Sequence, residues 1–227
     1  ENRTLVPLSK IPKEVVLATL AAEDAEFYNH PGFSIKGMTR AFITNIKKGK
    51  LSGGSTITQQ LVKNALLTPE KTIKRKIREI ILSVLVEVVY TKDQILEMYL
   101  NEVSYGGTAY GVQEAASLYF SKDVIELNLS EAALLAGLPK SPSKFSPFGS
   151  NPNLAISRQK EILYLMKVNK FISETEYESA ILQKLTYAAK RIDIKAPHFV
   201  MLVKQILAER LGEDLVGKGG LEVIITL

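Results

Sequence analysis

The sequence predicts a mainly α-helical fold. Apolar residues recur at three- and four-residue spacing through most of the chain, and several of these patterned segments open on Pro, Ser or Thr. The best strand pattern is confined to the tail, GLEVIITL (220–227). With 227 residues and 46% hydrophobic content, the chain can bury a real core.

The first helix is predicted over 12–28. Pro12 suits its first turn, and Val15, Val16, Leu20 and Ala21 give the apolar face. A second helix starts near Ser55 or Thr56, where Thr56 and Gln59 have capping-box spacing. From Thr72 to Tyr90 the residues Ile73, Ile77, Ile80, Val84 and Val88 form one stripe. Its apolar stretch IILSVLVEVV, interrupted by Glu87, reads as a core helix. Further helices are predicted at 92–101, 108–120, 130–138, 153–169, 173–184 and 197–211. The proline-rich segment PKSPSKFSPFGSNP (139–152) reads as an ordered surface loop. A lone strand at 220–227 needs a partner, so 191–227 is expected to be a linker and the start of a following domain.

Composition excludes several chemistries. The chain has no cysteine, so disulfides, thiolate catalysis and Cys-ligated zinc are ruled out. Two histidines, His30 and His198, argue against a His-based metal cluster or a Ser-His-Asp triad. The net charge of +5 suits an anionic partner without choosing among phosphate, nucleic acid and membrane surface. No apolar run approaches the roughly 18 residues of a spanning helix.

Four segments could carry chemistry. In AAEDAEFYNHPG (21–32), Glu23, Asp24 and Glu26 sit at the end of an apolar helix, where acidic groups oppose the helix dipole. A carboxylate held there against apolar walls could act as a general base, or the three could be a solvated helix end. His30 reads as structural. In KTIKRKIREI (71–80), Arg75 and Glu79 lie one turn apart opposite the apolar stripe. They are either a solvated pair or, with Lys74, Lys76 and Arg78, a phosphate site.

In GGSTITQQLVKN (53–64), Gln60, Lys63 and Asn64 exceed what helix capping requires. The spacing is not that of a P-loop. AFITNIKKGKL (41–51) mixes apolar and basic residues, as a membrane-surface segment or a solvated helix end would.

In this order, EDAEFYNHPG, GGSTITQQLVKN, RKIRE and KDQILEMYLN resemble the first four signature motifs of glycosyltransferase family 51, the peptidoglycan glycosyltransferases. The match spans roughly residues 10–170, including LSEAALLAGLPKSPSKFSPF. The tail from Ala196 looks like the segment leading to the transpeptidase domain of class A penicillin-binding proteins.

The resemblance implies a lysozyme-like fold, with a large globular lobe and a small membrane-facing jaw lobe at roughly 36–70, within a domain over 1–190. It also implies polymerisation of lipid II at the outer face of the bacterial cell membrane, with inversion and release of undecaprenyl pyrophosphate. Residues 41–51 then fall in the jaw.

By the same matching, Glu23 is the base and Glu79 the second catalytic carboxylate, which either holds a divalent cation, Mg or Mn, or orients the cationic side chains. Lys63, Arg75 and Lys140 meet the pyrophosphate, and Asp24, Ser55, Gln60, Asn64, Lys76 and Tyr99 bind substrate. The implied partners are lipid II, the growing lipid-linked chain, the membrane surface and other cell-wall synthesis proteins, with no nucleic acid.

The chain departs from the family pattern twice. The fifth motif usually has paired arginines, and here Arg158 is followed by Gln159. An aromatic often stands where this chain has Ser104, with Tyr105 next to it. Two rival readings are a lysozyme-like glycan hydrolase, whose two carboxylates would cleave rather than join, and a helical lipid-binding module without activity.

Overall fold

The computed structural model describes residues 3–34, 54–68, 70, 72–189, 197–212 and 216. The expected membrane-facing segment 41–51, most of the jaw and the strand at 220–227 lie outside them. The chain divides into two compact units, 2–187 and 188–227. The second contributes one described helix, α10 (Pro197–Leu211).

The first unit is built on α6 (Leu129–Gly137), whose residues from Ser130 to Gly137 are all buried. Its small side chains let α1 (Lys13–Glu23) and α8 (Asn153–Val168) pack closely against it, the most extensive contacts in the unit. Asn128 caps α6 in a full capping box with Glu131, which is itself held by Lys122 at 2.7 Å. Ser130 donates to the carbonyl of Ala180 in α9 (Glu174–Leu182) at 2.6 Å, satisfying a hydroxyl at the centre of the core.

Helix α2 (Ile57–Leu66) begins in the capping box foreseen for Thr56 and Gln59. Thr91 and Gln94 make another for α4 (Lys92–Glu102). The N-terminal strand of chain is tied to α4 by Asn101, which exchanges two 2.9 Å bonds with the backbone of Val6.

Several expectations need correction. The first helix stops at Glu23 instead of running to 28, because Asp24 leaves the helical region, and Phe27–Asn29 form a separate 3-10 turn. Residues 108–111 do not start a helix. Ser104–Gly106 (β1) and Ala109–Tyr110 (β2) pair as a small antiparallel hairpin, turning through Gly106 and Gly107 at positive φ. Helix α5 (Val112–Phe120) follows it. The proline-rich loop contains one short helix, α7 (Pro142–Phe145).

The largest correction concerns α3 (Ile73–Val89), expected as a core helix with its apolar stripe inward. Its buried residues are Glu79 and Ser83, while Ile73, Ile77, Ile81, Leu85 and Val88 are all more than half exposed. The polar face is the inner one.

Candidate active site

Glu23 is the last residue of α1, brought to the edge of the core by the burial of Ala18, Leu20 and Ala21. Its Oε2 accepts a 2.7 Å bond from Nε2 of Gln60 on α2. Its Oε1 is buried and has no partner. Burial raises the carboxyl's proton affinity above the ordinary value. The Gln60 bond and attraction to Arg158, Lys140 and Lys63 offset this only in part. A desolvated carboxylate with one idle oxygen is equipped to take a proton.

Asp24, expected to bind substrate, makes contacts within the protein. Its carboxylate contacts Nε2 of His30 at 2.9 Å and accepts from the backbone N–H of Ile57 at 3.1 Å. The acid misplaced at the end of α1 is therefore well placed at the N-terminus of α2. It fixes the turn after Glu23 to the helix that carries Gln60, with His30 in the structural role foreseen for it.

Helix α2 then offers Gln60 to Glu23 and leaves Lys63 and Asn64 exposed. Ser55 does not cap the helix, since Thr56 does so alone. The Ser55 hydroxyl accepts from Nζ of Lys76 at 2.9 Å. Lys76 also pairs with Oε1 of Glu79, and Nη1 of Arg75 reaches Oε2 at 2.6 Å. The Arg75/Glu79 pair is thus neither isolated nor solvated: Glu79 is 1% exposed, with a cation on each oxygen. Around one carboxylate stand two cations, leaving a surplus of positive charge beside α2.

Tyr99, matched as a substrate binder, lies in the core. It is buried, its hydroxyl has no partner, and its acidity is suppressed first by desolvation and then by the charge of Glu23. It lies near enough to Glu23 to feel that charge.

Sequence reasoning missed Tyr105, also buried, whose hydroxyl is likewise pushed up by desolvation and by Glu23. The aromatic missing at Ser104 is supplied one position later. Arg158, 4% exposed, fits beneath α6 because Gly137 has no Cβ, which would meet its Cγ at 2.7 Å. Gln159, where a second arginine was expected, is buried and donates to the Ser130 carbonyl at 3.3 Å. A neutral amide satisfies that interior position without a buried charge. Lys140, just past α6, is exposed and near enough to Glu23 to favour its ionised form.

The divalent cation that the resemblance implies would need donors here. Among the described residues no group of three acidic or histidine side chains could hold a metal. Both oxygens of Glu79 already serve cations. Among the described residues, the side chains here do not fit a resident metal ion.

A desolvated carboxylate near lysines and an arginine suits a reaction that deprotonates one group and expels an anion. The transglycosylase family model matches residues 1–167. The chain belongs to the transglycosylase family. It is an enzyme domain of glycosyl transfer, so an inert lipid-binding module is set aside and hydrolysis is not favoured.

Penicillin-binding protein 1A of Aquifex aeolicus (strain VF5) is 40% identical over 228 residues, covering 100% of the chain and 31% of the relative. That of Neisseria lactamica is 42% identical over 222 residues, covering 96% and 28%. The crystal structure of penicillin-binding protein 1A from Haemophilus influenzae matches with a TM-score of 0.57 at 24% identity, over 95% of the chain and 22% of that protein. The likeness supports the mainly α, lysozyme-like architecture. The chain spans less than a third of the length of these curated relatives.

Proposed function

We propose that this domain polymerises lipid II into β-1,4-linked glycan, inverting the donor's anomeric carbon and releasing undecaprenyl pyrophosphate. The observation that carries this reading is Glu23, desolvated, anchored through one oxygen by Gln60 and idle on the other. Its Oε1 takes the proton of the acceptor's 4-hydroxyl as that oxygen forms its bond to the donor's anomeric carbon. The bond from that carbon to the pyrophosphate oxygen breaks, and its electron pair leaves with the pyrophosphate. Lys63, Arg75, Lys76 and Lys140 supply the charge that stabilises the leaving group.

In this reading Glu79 keeps Arg75 and Lys76 together, Ser55 steadies Lys76, and Gln60 and Asn64 line the sugar path. A divalent cation, Mg or Mn, would arrive with the pyrophosphate and take most of its ligands from phosphate and water.

Incubation with labelled lipid II and with finished glycan tests the reading. Polymer from lipid II is expected, and cleavage of finished glycan alone would overturn it.

The membrane surface is the proposed partner for the outward face of α3. Ile73, Ile77, Ile81, Leu85 and Val88 are exposed beside Lys74 and Arg78, the make-up of an interfacial helix. Replacing Ile77 and Ile81 together with serine should lower the fraction of protein that floats with anionic vesicles by severalfold. Unchanged flotation would remove this face from the membrane. The proposal places the domain on the outer side of a bacterial cell membrane. There 191–227 leads to a transpeptidase domain and other cell-wall synthesis proteins are within reach.

A further inference from the structure

The polar face of α3 continues past Glu79. Ser83 donates its buried hydroxyl to the Glu79 carbonyl at 2.6 Å. One turn on, the Glu87 carboxylate is 8% exposed and accepts from Oγ1 of Thr58 at 2.5 Å and from Nζ of Lys92 at 2.8 Å. Lys92 Nζ also donates to the His30 carbonyl at 2.7 Å and lies 4.4 Å from the centre of the Phe27 ring.

Gly32, at φ 87°, presses on the same stretch of α3. A Cβ there would stand 2.8 Å from the Ser83 carbonyl oxygen and 3.0 Å from Cγ of Glu87. Four segments meet at this pair: the inner face of α3, the first turn of α2, the N-terminus of α4, and the turn 27–32 that follows Glu23 and Asp24. In the proposed reaction neither Glu87 nor Lys92 touches the sugar or the pyrophosphate.

Most of the large apolar residues of α3 face outward and only Val86 of this helix packs against the core, so hydrophobic packing does little to fix its inner register. Polar bonds must do so, and a buried ion pair specifies geometry because either charge alone is costly. We propose that the Glu87–Lys92 pair is a positioning site that sets where Glu79, with Arg75 and Lys76, stands relative to Glu23. The inference rests on the reading that Glu23 and Glu79 flank the reacting centre. Displacement of catalytic groups by about 1 Å can cost roughly a hundredfold in rate. The pair acts at a distance, through the seat of the helix.

The test uses the absence of cysteine from the chain. Ile81→Cys on the outer face of α3 and Lys160→Cys on the exposed side of α8 accept spin labels without competition. Their distance distribution is read by pulsed dipolar spectroscopy in the labelled parent, with Lys92→Met added, and with Thr58→Val added. Steady-state polymerisation is measured for the same substitutions without labels.

The parent is expected to give one narrow distribution. Lys92→Met should broaden or displace it and lower kcat by roughly tenfold to a hundredfold, with a smaller change in KM. The cations Lys63 and Lys140 do not depend on α3. Thr58→Val, which removes one bond to Glu87 and keeps the ion pair, should give the same changes in milder form. It carries the test if Lys92→Met does not fold.

An unchanged distribution, or a changed distribution with unaltered kcat, overturns the proposal. If the parent makes no polymer, the glycosyl-transfer reading fails instead, and the label distances still show whether the pair seats α3.

Discussion

Glu23→Gln should abolish polymer formation while leaving lipid II bound. The amide matches the carboxylate in size and keeps a carbonyl oxygen for Gln60, so the pocket survives and only proton acceptance is lost. General-base removal typically costs about a hundredfold to ten-thousandfold, and the upper part of that range is expected because Glu23 is the one carboxylate with a buried idle oxygen among the described residues. Gel analysis of labelled lipid II gives the turnover, and equilibrium binding of the same substrate gives the affinity. Turnover near that of the parent would remove Glu23 from the role.

The same carboxylate predicts a pH profile. Burial first, against the Gln60 bond and the nearby cations, holds its pKa above the ordinary 4.5. A base works ionised, so the rate should rise with pH through a value above 4.5. Gln60→Leu, which deletes a bond favouring the ionised form, should move that rise to higher pH.

Stability follows with the opposite sign. A carboxyl with a raised folded-state pKa binds its proton more tightly when folded. Its contribution is therefore present below the unfolded pKa and lost as pH rises through the folded one. At neutral pH ionised Glu23 costs stability, and Glu23→Gln should melt at a higher temperature than the parent. This gain, joined to loss of activity, is what a desolvated functional charge implies. A structural Glu23 would give the reverse.

Local chemistry was legible in the sequence, and long-range chemistry was not. The Thr56–Gln59 cap could be read because it closes over three residues, and the long helices α4, α6, α8 and α9 could be read because their apolar faces do meet a core. Asp24 could not be read as a clip, since its partner Ile57 lies 33 residues on. Nor could Gln60 be assigned to Glu23, at a separation of 37.

Helix α3 misled for a different reason. Periodicity locates an apolar stripe and says nothing about what the stripe faces. Here the interior offered to α3 is polar, made of Ser55, Thr58, Gly32 and Lys92, so the charged face is the complementary one. The motif order pointed to the two carboxylates and their cations. Tyr99 was legible through the fourth motif, whereas Tyr105 had no signal beyond an aromatic one place out of register.

Glu79→Gln should produce the second large loss, by a different route. Glu79 is no spare base, because Arg75 and Lys76 occupy both its oxygens and it is 1% exposed. Its charge holds two cations side by side that would otherwise repel each other, and Ser55 limits where the lysine can go. An amide cannot neutralise either cation. Both side chains would turn towards water, and the pyrophosphate would lose a preformed cradle.

Turnover should fall by about a hundredfold, the scale seen on losing one preorganised electrostatic element. Affinity for a pyrophosphate-lipid should fall with it, in contrast to Glu23→Gln. Breaking the pair should also cost about 1–3 kcal/mol of stability, less than a fully buried pair because the cations are partly solvated. Arg75→Ala should weaken turnover and pyrophosphate-lipid binding by only about tenfold, since Lys76 still neutralises Glu79.

Added Mg²⁺ separates this role from metal ligation. If Glu79 organises cations, any dependence of the rate on Mg²⁺ concentration keeps its midpoint in Glu79→Gln. A midpoint shifted to higher Mg²⁺, with pyrophosphate-lipid affinity intact, would make Glu79 a metal ligand and leave the cations without an organiser.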